Sequence, residues 1–370
     1  MRIGIDAHCL GSGQSGNETY YRSLLKSLAR VDIENDYSIY YTKNGAAEKL
    51  GLTNDRFSSR RVRSASPYLR IPFIFPLELL SQPVDVFHAQ FIVPPFLMCR
   101  TVTTIPDIAF EHYPEFFPPY QVAWLKKLIP WSARRSDHVI TVSQYSKADL
   151  AQRYKIDPDK ITVTYEAAGS EFHTRDQGQA REYLAGRYGI EHPFILYVGR
   201  LQGRKNLERL VEAYSQVRDR GAQHQLVLVG KKEWMAQRIL ETISKLGLAR
   251  EVLLTGYVPA EDLPYFYSAA DIFAYPSIFE GFGLPVLEAM ACGTAVVTSM
   301  GSSLQEIAGA AALIVDPLDT SSISSALERL LGDPILRREL GRAGIRRSKE
   351  FDFDRAAMDT LAVYRNAANM

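Results

Sequence analysis

Residues 273–290 read Phe-Ala-Tyr-Pro-Ser-Ile-Phe-Glu-Gly-Phe-Gly-Leu-Pro-Val-Leu-Glu-Ala-Met, and this stretch decides the fold. The segment 271–275 is apolar and aromatic, which is typical of a buried strand in a parallel sheet. Gly281 and Gly283 then permit a tight loop, because glycine has no Cβ. Pro285 suits the start of a helix, where a backbone N–H is not needed. The stretch therefore predicts a strand, a glycine loop and a helix, a unit of an α/β fold.

The same loop predicts an anion site, because backbone amides at a helix N-terminus attract phosphate. These amides belong to Gly281, Phe282, Gly283 and Leu284. Glu280 and Glu288 would repel a phosphate unless they face hydroxyl groups on either side of it. A nucleoside diphosphate sugar has hydroxyls on both sides of its diphosphate, so one carboxylate could hold the sugar and the other the ribose. The alternative is two solvated charges, which the apolar neighbours of Glu288 disfavour.

The run 279–293, Phe-Glu-Gly-Phe-Gly-Leu-Pro-Val-Leu-Glu-Ala-Met-Ala-Cys-Gly, resembles the signature of family 4 of the retaining glycosyltransferases. Bacterial polysaccharide mannosyltransferases are the nearest resemblance. It implies an α/β fold with two Rossmann-like domains whose parallel sheets face each other across a cleft, the GT-B architecture. It also implies transfer of a sugar, with retention, from a nucleoside diphosphate to a hydroxyl acceptor.

Length and composition agree with a two-domain globular protein. The chain has 370 residues, of which 46% are hydrophobic and 23% charged. We expect an acceptor-side domain over 1–168, a donor-binding domain over 169–354, and a terminal helix over 355–370 that packs back on the first domain, as the resemblance implies. The net charge of +1 gives no field that would favour nucleic acid.

The lack of a recognisable targeting signal and the spacing of the cysteines predict a cytoplasmic protein. The chain enters a strand at residues 2–6, which leaves no room for a signal peptide. No apolar run reaches about 18 residues, the length that a membrane-spanning helix needs. The three cysteines have no pair spacing, which fits a reducing compartment and argues against a zinc site.

Two cations mark the start of the second half. Arg200 follows the predicted strand 194–198, and Lys205 precedes a helix. Arginine grips phosphate oxygens with paired hydrogen bonds and lysine acts as a point charge, so both fit a diphosphate without a metal ion. A solvated turn is the alternative. The segment also resembles the diphosphate-binding segment of the family, and further donor contacts by resemblance are Gly199, Lys231 and Val258, the last two near the nucleobase.

The first half has a glycine-rich loop formed by Gly11, Gly13 and Gly16. The spacing matches a dinucleotide fingerprint, but four residues separate Asp6 from the first glycine, and the acids that could bind ribose precede the second strand instead of ending it. We therefore disfavour a dehydrogenase. The resemblance implies that Gly16 approaches the donor diphosphate, while a merely mobile loop stays open.

Strand ends in the first half place His88 and Asp107 at the edge where open α/β sheets bind ligands. The family usually has a His-Asp pair where this chain has Pro106-Asp107, so we assign no histidine there. We predict that Asp107 lies on the acceptor side and belongs to a catalytic group with Glu280, Arg200 and Lys205. In this group Glu280 holds the donor sugar. Glu288 is predicted to hold the ribose. A lone histidine such as His88 is more often structural.

Five arginines and no acidic residue lie between Arg56 and Arg70, and an aromatic segment follows up to Leu77. Residues 56–77 could contact an anionic membrane surface or a lipid-linked saccharide acceptor. A basic loop before a core helix explains them equally well.

The sequence thus predicts a metal-independent retaining glycosyltransferase of polysaccharide or glycolipid biosynthesis, without a cofactor. The resemblance to mannosyltransferases favours GDP-mannose over UDP-sugars as the donor, and it implies a sugar or a lipid-linked saccharide as the acceptor. Two alternatives remain open: a sugar-nucleotide epimerase, which would need Asp107 and His88 at the anomeric carbon, and a sugar-nucleotide-binding protein without turnover.

Overall fold

The described residues divide into two compact units. The computed structural model describes residues 1–11, 15–46, 50–52, 55–231 and 236–370, without the side chains of Ser15 and Ala236. The first unit comprises Met1–Glu111, Tyr120–Glu166 and Asp352–Met370, and the second comprises His112–Pro119 and Ala167–Phe351. Both units contain a parallel sheet with helices, so the predicted α/β class is confirmed.

The sheet of the first unit has the strand order β3-β2-β1-β4-β5-β6-β7. Its strands are β1 Arg2–Asp6, β2 Asp36–Tyr41, β3 Phe57–Arg61, β4 Val86–Gln90, β5 Arg100–Thr104, β6 His138–Thr141 and β7 Ile161–Val163. Its α-helices are α1 Ser15–Val31, α2 Pro67–Leu69, α3 Phe75–Ser81, α4 Ala109–His112 (whose last residue groups with the second unit), α5 Pro119–Arg135 and α6 Gln144–Tyr154. A π-helical turn, Arg70–Ile74, joins α2 to α3.

The sheet of the second unit has the order β10-β9-β8-β11-β12-β13. Its strands are β8 Phe194–Val198, β9 Gln225–Val229, β10 Val252–Gly256, β11 Ile272–Tyr275, β12 Ala295–Ser299 and β13 Ala312–Val315. Its helices are α7 Gln177–Tyr188, α8 Leu207–Asp219, α9 Ala236–Lys245, α10 Leu263–Ala269, α11 Leu284–Ala291, α12 Ser303–Ala308, α13 Thr320–Gly332 and α14 Pro334–Ser348. Short 3-10 turns cover Pro114–Phe116, Pro158–Lys160 and Gly203–Lys205.

The central strands of the second unit are buried along their whole length. Every residue of β8, β11 and β12 is buried. Such continuous apolar runs arise because helices cover both faces of a parallel sheet. The apolar stretch 271–275 therefore forms β11, as predicted from its composition, and it holds the following loop on a rigid base.

The last helix, α15 (Phe353–Ala368), belongs to the first unit and begins two residues earlier than the sequence predicts. Its Tyr364 hydroxyl lies 2.6 Å from Nδ1 of His88 on β4, and its Arg365 forms an ion pair with Glu34. The other ring nitrogen of His88 lies 2.6 Å from the Thr104 hydroxyl. His88 is completely buried, so its expected place at a ligand-binding edge is wrong, and it joins the helix to the sheet instead.

The glycine-rich segment also differs from the expected loop. Helix α1 begins at Ser15, four residues before the predicted start, and Gly16 lies in its first turn, where no atom of the described residues would contact an added Cβ. Gly11 has a φ of +74°, a conformation that favours glycine. Gly13 lies outside the described residues.

Candidate active site

The candidate site lies where the strand order of the second sheet reverses. β8 pairs with β11 at the centre of this sheet, and the chain leaves these strands toward opposite edges. In open parallel sheets the crevice at such a switch point, outside the carboxyl ends of the strands, is where ligands bind. Residues 199–205 follow β8 and residues 276–283 follow β11, so both segments singled out in the sequence meet here.

Glu280 is buried between two cations. Lys205 Nζ lies 2.5 Å from Glu280 Oε1, and Arg204 Nη1 lies 2.9 Å from Oε2. The lysine ammonium also donates to the Tyr275 hydroxyl at 2.6 Å. The structure thus brings together Glu280 and Lys205, which are 75 positions apart in the chain. A buried carboxylate is tolerated here because each of its oxygens has a cationic partner.

These neighbours keep Glu280 ionised. Burial by itself would raise the pKa of this carboxyl, but the charges and hydrogen bonds of Arg204 and Lys205 outweigh burial and hold the pKa at about 2. At neutral pH the side chain is therefore an anion that accepts hydrogen bonds, which suits a group that binds sugar hydroxyls.

Arg204 is a site residue that the sequence reasoning missed. Besides Glu280, its guanidinium donates to the main-chain oxygen of Phe279, and its own carbonyl accepts from the Ile278 amide at 3.0 Å. The signal was present as two adjacent cations, Arg204-Lys205, before a helix. That pattern did not show that either cation reaches Glu280, because both contacts depend on how the loop 199–205 packs against the loop 276–283.

The loop before α11 has the strained geometry that glycine permits. Gly283 has a φ of +112° at the N-terminus of the helix, and a Cβ there would lie 2.4 Å from a methyl carbon of Leu304. The Ser303 hydroxyl donates to the carbonyls of Glu280 and Phe282, at 2.8 and 2.9 Å. These contacts fix the segment that contains Gly281, Phe282, Gly283 and Leu284. Helix α11 begins at Leu284, so Pro285 is its second residue.

Glu288 lies one turn into α11 and is also buried. The Tyr267 hydroxyl donates to Glu288 Oε2 at 2.6 Å. Burial raises the pKa of Glu288 to about 7, the hydrogen bond from Tyr267 opposes this shift, and the nearby charge of Glu171 adds to it. The expectation that Glu288 has no solvated role agrees with its burial, and its contact with a ribose stays a prediction.

The ends of β8 and β9 approach each other closely. Gly199 and Gly230 have φ values of +152° and +144°, and a Cβ on Gly230 would lie 1.9 Å from the Gly199 carbonyl oxygen. The Tyr197 hydroxyl donates to the Arg200 carbonyl at 3.0 Å, and the Leu201 amide donates to the Lys231 carbonyl at 2.9 Å. Only glycine fits at 230, because the Gly199 carbonyl occupies the space that a Cβ would need.

The predicted nucleobase region, at the ends of β9 and β10, includes the aromatic side chain of Tyr257. Lys231 Nζ lies 4.9 Å from the ring centre of Tyr257, a cation–π distance, and the Tyr257 ring is largely exposed. Val258 is buried beside it. Contacts of Lys231 and Val258 with a base remain predictions.

Two predicted residues belong to the first unit. Asp107 is partly buried, and its Oδ1 accepts from the Ala109 amide at 2.9 Å at the start of α4. Gly16 lies in α1. Their roles toward an acceptor and a diphosphate stay predictions, and an epimerase that uses His88 is disfavoured because that histidine is enclosed.

An exposed apolar face occupies one side of the helical segment 67–81. Leu69, Phe73, Leu77 and Leu80 are each more than half exposed, and their spacing of four, four and three residues puts them on one side. Phe75 and Leu79, on the opposite side, are buried in a cluster with Phe87. Arg61 and Arg63, just before this segment, are exposed.

Two family models match successive parts of the chain. The model described as "Glycosyltransferase Family 4" matches residues 15–167, and the model described as "Glycosyl transferases group 1" matches residues 187–347. Together they include the segments 199–205 and 276–288 that form the candidate site.

Similar proteins agree with these models. O-antigen chain mannosyltransferase B of Escherichia coli is 31% identical over 281 residues, which cover 76% of this chain and 74% of that protein. Serotype-specific mannosyltransferase WbdA of Escherichia coli is 31% identical over 65% of this chain, but the match spans only 30% of WbdA. The structure of sucrose-phosphate synthase from Thermosynechococcus elongatus has a TM-score of 0.80 at 23% identity and covers 99% of this chain and 98% of that chain, which shows a shared fold.

Proposed function

The chain belongs to the group 1, family 4 glycosyltransferases, and we propose that it transfers mannose from GDP-mannose, with retention and without a metal ion, to a saccharide acceptor in polysaccharide synthesis. The observation that carries the proposal is the ionised Glu280 held by Arg204 and Lys205 at the switch point of the second sheet. The choice of mannose rests on the similarity to two mannosyltransferases.

The proposed binding mode follows from charge. The diphosphate of the donor lies against Arg200, Lys205 and the amides at the start of α11, which stabilise the charge that develops as the nucleoside diphosphate departs. Glu280 accepts hydrogen bonds from the sugar hydroxyls, and Glu288 contacts the ribose. Cations and amide dipoles neutralise the leaving group in this scheme, which is the reason for proposing independence from metal.

The proposed chemistry needs no enzymic nucleophile. The acceptor hydroxyl attacks the anomeric carbon from the face that the diphosphate leaves, and a departing phosphate oxygen takes its proton. The C–O bond to phosphate breaks as the new glycosidic bond forms, so the anomeric configuration is retained.

Donor hydrolysis and transfer test this function. We expect slow hydrolysis of GDP-mannose that a mannose-containing acceptor accelerates, an unchanged rate after EDTA treatment, and an α-linked product by NMR. UDP-glucose is the control donor. Turnover without an acceptor to a rearranged sugar would indicate an epimerase, and binding without turnover would indicate a binding protein. Loss of activity with EDTA that Mg²⁺ restores would contradict metal independence.

A second part of the proposal concerns an anionic lipid surface, where a lipid-linked acceptor would reside. The exposed cations Arg61 and Arg63 precede the exposed apolar face of 67–81 in the chain, and this combination fits an anionic bilayer. Among the described residues, none of the helices combines the length and the apolar character that crossing a bilayer requires. We therefore propose a peripheral contact through residues 56–77.

Vesicle flotation tests the membrane contact. The wild-type protein should float with phosphatidylglycerol vesicles but not with phosphatidylcholine vesicles, and added salt should weaken the binding. Replacing Leu69, Phe73 and Leu77 by Ser should reduce binding at least tenfold. The matched control replaces two exposed apolar residues of the second unit, Leu318 and Ile335, by Ser. Equal binding by both variants would contradict this contact.

A further inference from the structure

We infer that Arg204 is the positioning residue that stays with Glu280 when Lys205 transfers to the diphosphate of the donor. This inference rests on the proposed function, because it names how one site residue serves donor binding. Both cations contact the same carboxylate, yet the proposed reaction needs Lys205 at the diphosphate and Glu280 at the sugar. One cation must therefore change partners, while the other keeps the carboxylate charged.

The geometry decides which cation stays. Arg204 is tied to the loop of Glu280 at three successive residues: its carbonyl accepts from the Ile278 amide, and its guanidinium donates to the Phe279 carbonyl and to Glu280. A planar guanidinium that bridges main chain and carboxylate is held in one orientation. Arg204 is thus fixed to the loop that contains Glu280.

The ammonium of Lys205 contacts two side chains. Its Nζ donates to Glu280 Oε1 at 2.5 Å and to the Tyr275 hydroxyl at 2.6 Å. An ammonium on a flexible stem exchanges one anionic partner for another without moving the main chain. A diphosphate bears more negative charge than one carboxylate, so it competes effectively for this cation.

Without Arg204 the exchange would leave a buried carboxylate uncompensated. Arg204 and Lys205 supply the charges that act on Glu280, and the nearby Tyr275 and Tyr197 are neutral at physiological pH. Once Lys205 leaves in an Arg204→Gln variant, Glu280 would take up a proton. The neutral carboxyl would bind the donor sugar more weakly than the carboxylate does.

Calorimetric titration with GDP at pH 6, in buffers of different ionisation enthalpy, tests the inference without sugar transfer. Arg204→Gln should take up roughly half to one proton more on binding GDP than the wild type. Its GDP affinity should fall less than that of Lys205→Ala. Arg204→Lys should restore proton uptake to the wild-type value. Arg218→Gln, which breaks an ion pair with Glu251 in the same unit, is the matched control.

Transfer kinetics give the second measurement. Arg204→Gln should lower kcat/KM for GDP-mannose about 10- to 100-fold and add an acidic limb between pH 5 and 7 that the wild type and Arg204→Lys lack. Proton uptake and pH profile equal to those of Arg218→Gln would overturn the inference, as would a loss of GDP affinity as large as that of Lys205→Ala. If wild-type protein binds neither GDP nor UDP, the proposed function itself fails, and this inference fails with it.

Discussion

Glu280 and Glu288 lie eight positions apart and are both buried, yet their environments shift their pKa values in opposite directions. Glu280 is held by Arg204 and Lys205, and its pKa is about 2. Glu288 has the Tyr267 hydroxyl as its hydrogen-bond donor, and burial raises its pKa to about 7. The difference shows that burial alone does not set the charge of a carboxyl, since partners contributed by other segments decide it.

The two carboxyls therefore suit different contacts. Glu280 is an anion over the whole physiological range and can only accept hydrogen bonds. Near neutral pH Glu288 is partly protonated, so it can donate a hydrogen bond to a ribose oxygen as well as accept one. Four substitutions, ordered by expected effect, test this contrast.

Lys205→Ala tests whether the charged cluster around Glu280 takes part in catalysis. The variant should lose about 100- to 1,000-fold in kcat/KM for the donor, since one charged group that stabilises the leaving diphosphate is removed. Its melting temperature should change little, because Arg204 still pairs with Glu280. Steady-state transfer assays and thermal unfolding measure both effects, with the exposed Lys245→Ala as the control. An unchanged rate would remove Lys205 from the site.

Glu280→Gln tests the ion-pair cluster as a stabilising element. Removal of the carboxylate leaves two largely buried cations without their anion, which costs on the order of 3 kcal/mol at pH 7. The folded-state pKa of Glu280 lies below its unfolded value, so this contribution is present above about pH 4.5 and declines as the pH falls toward 2. Urea unfolding at pH 7 and pH 4 should show the deficit shrinking at the lower pH. An equal deficit at both would contradict the assigned cause.

Glu288→Gln should have the opposite pH dependence. The folded-state pKa of Glu288 lies above its unfolded value, so wild-type stability falls as the pH rises from about 4.5 to about 7. Glutamine cannot ionise, and the variant should therefore gain roughly 2–3 kcal/mol relative to the wild type between pH 5 and pH 8. Parallel stability curves for the two proteins would show that Glu288 is ionised at little cost.

Tyr267→Phe should give the smallest effect. It removes the hydroxyl that donates to Glu288, at a cost of about 1–2 kcal/mol above pH 7. Because that hydrogen bond lowers the pKa of Glu288, the variant should shift the pH dependence of stability to higher pH. The loss of stability caused by Tyr267→Phe should be smaller in the Glu288→Gln variant than in the wild type. Full additivity would indicate that the two side chains do not interact.

The sequence predicted well those features that depend on neighbours along the chain. The apolar segment 271–275 forms β11, and the glycine loop leads into α11 near the expected residue. Two features were misplaced. Helix α1 begins earlier than predicted, at Ser15, so Gly16 lies in a helix, and His88 faces the core because α15 covers it.

The features that the sequence reasoning missed depend on packing between segments that are distant in the chain. Arg204 was visible only as one of two adjacent cations, and its contact with residues 278–280 joins parts of the chain more than 70 positions apart. The Tyr267 hydroxyl had no sequence signal that connected it to Glu288, which lies 21 positions away.

The sequence by itself determined the α/β fold, the family, and the pairing of an acidic loop with a helix N-terminus. Hydrophobic periodicity, glycine and proline encode these features locally. Only the tertiary structure decided that Glu280 is an anion, that Glu288 titrates near neutrality, and that Arg204 is tied to the loop of Glu280. Charge state depends on distances of a few ångströms between groups remote in the chain, and those distances exist only after the sheet has assembled.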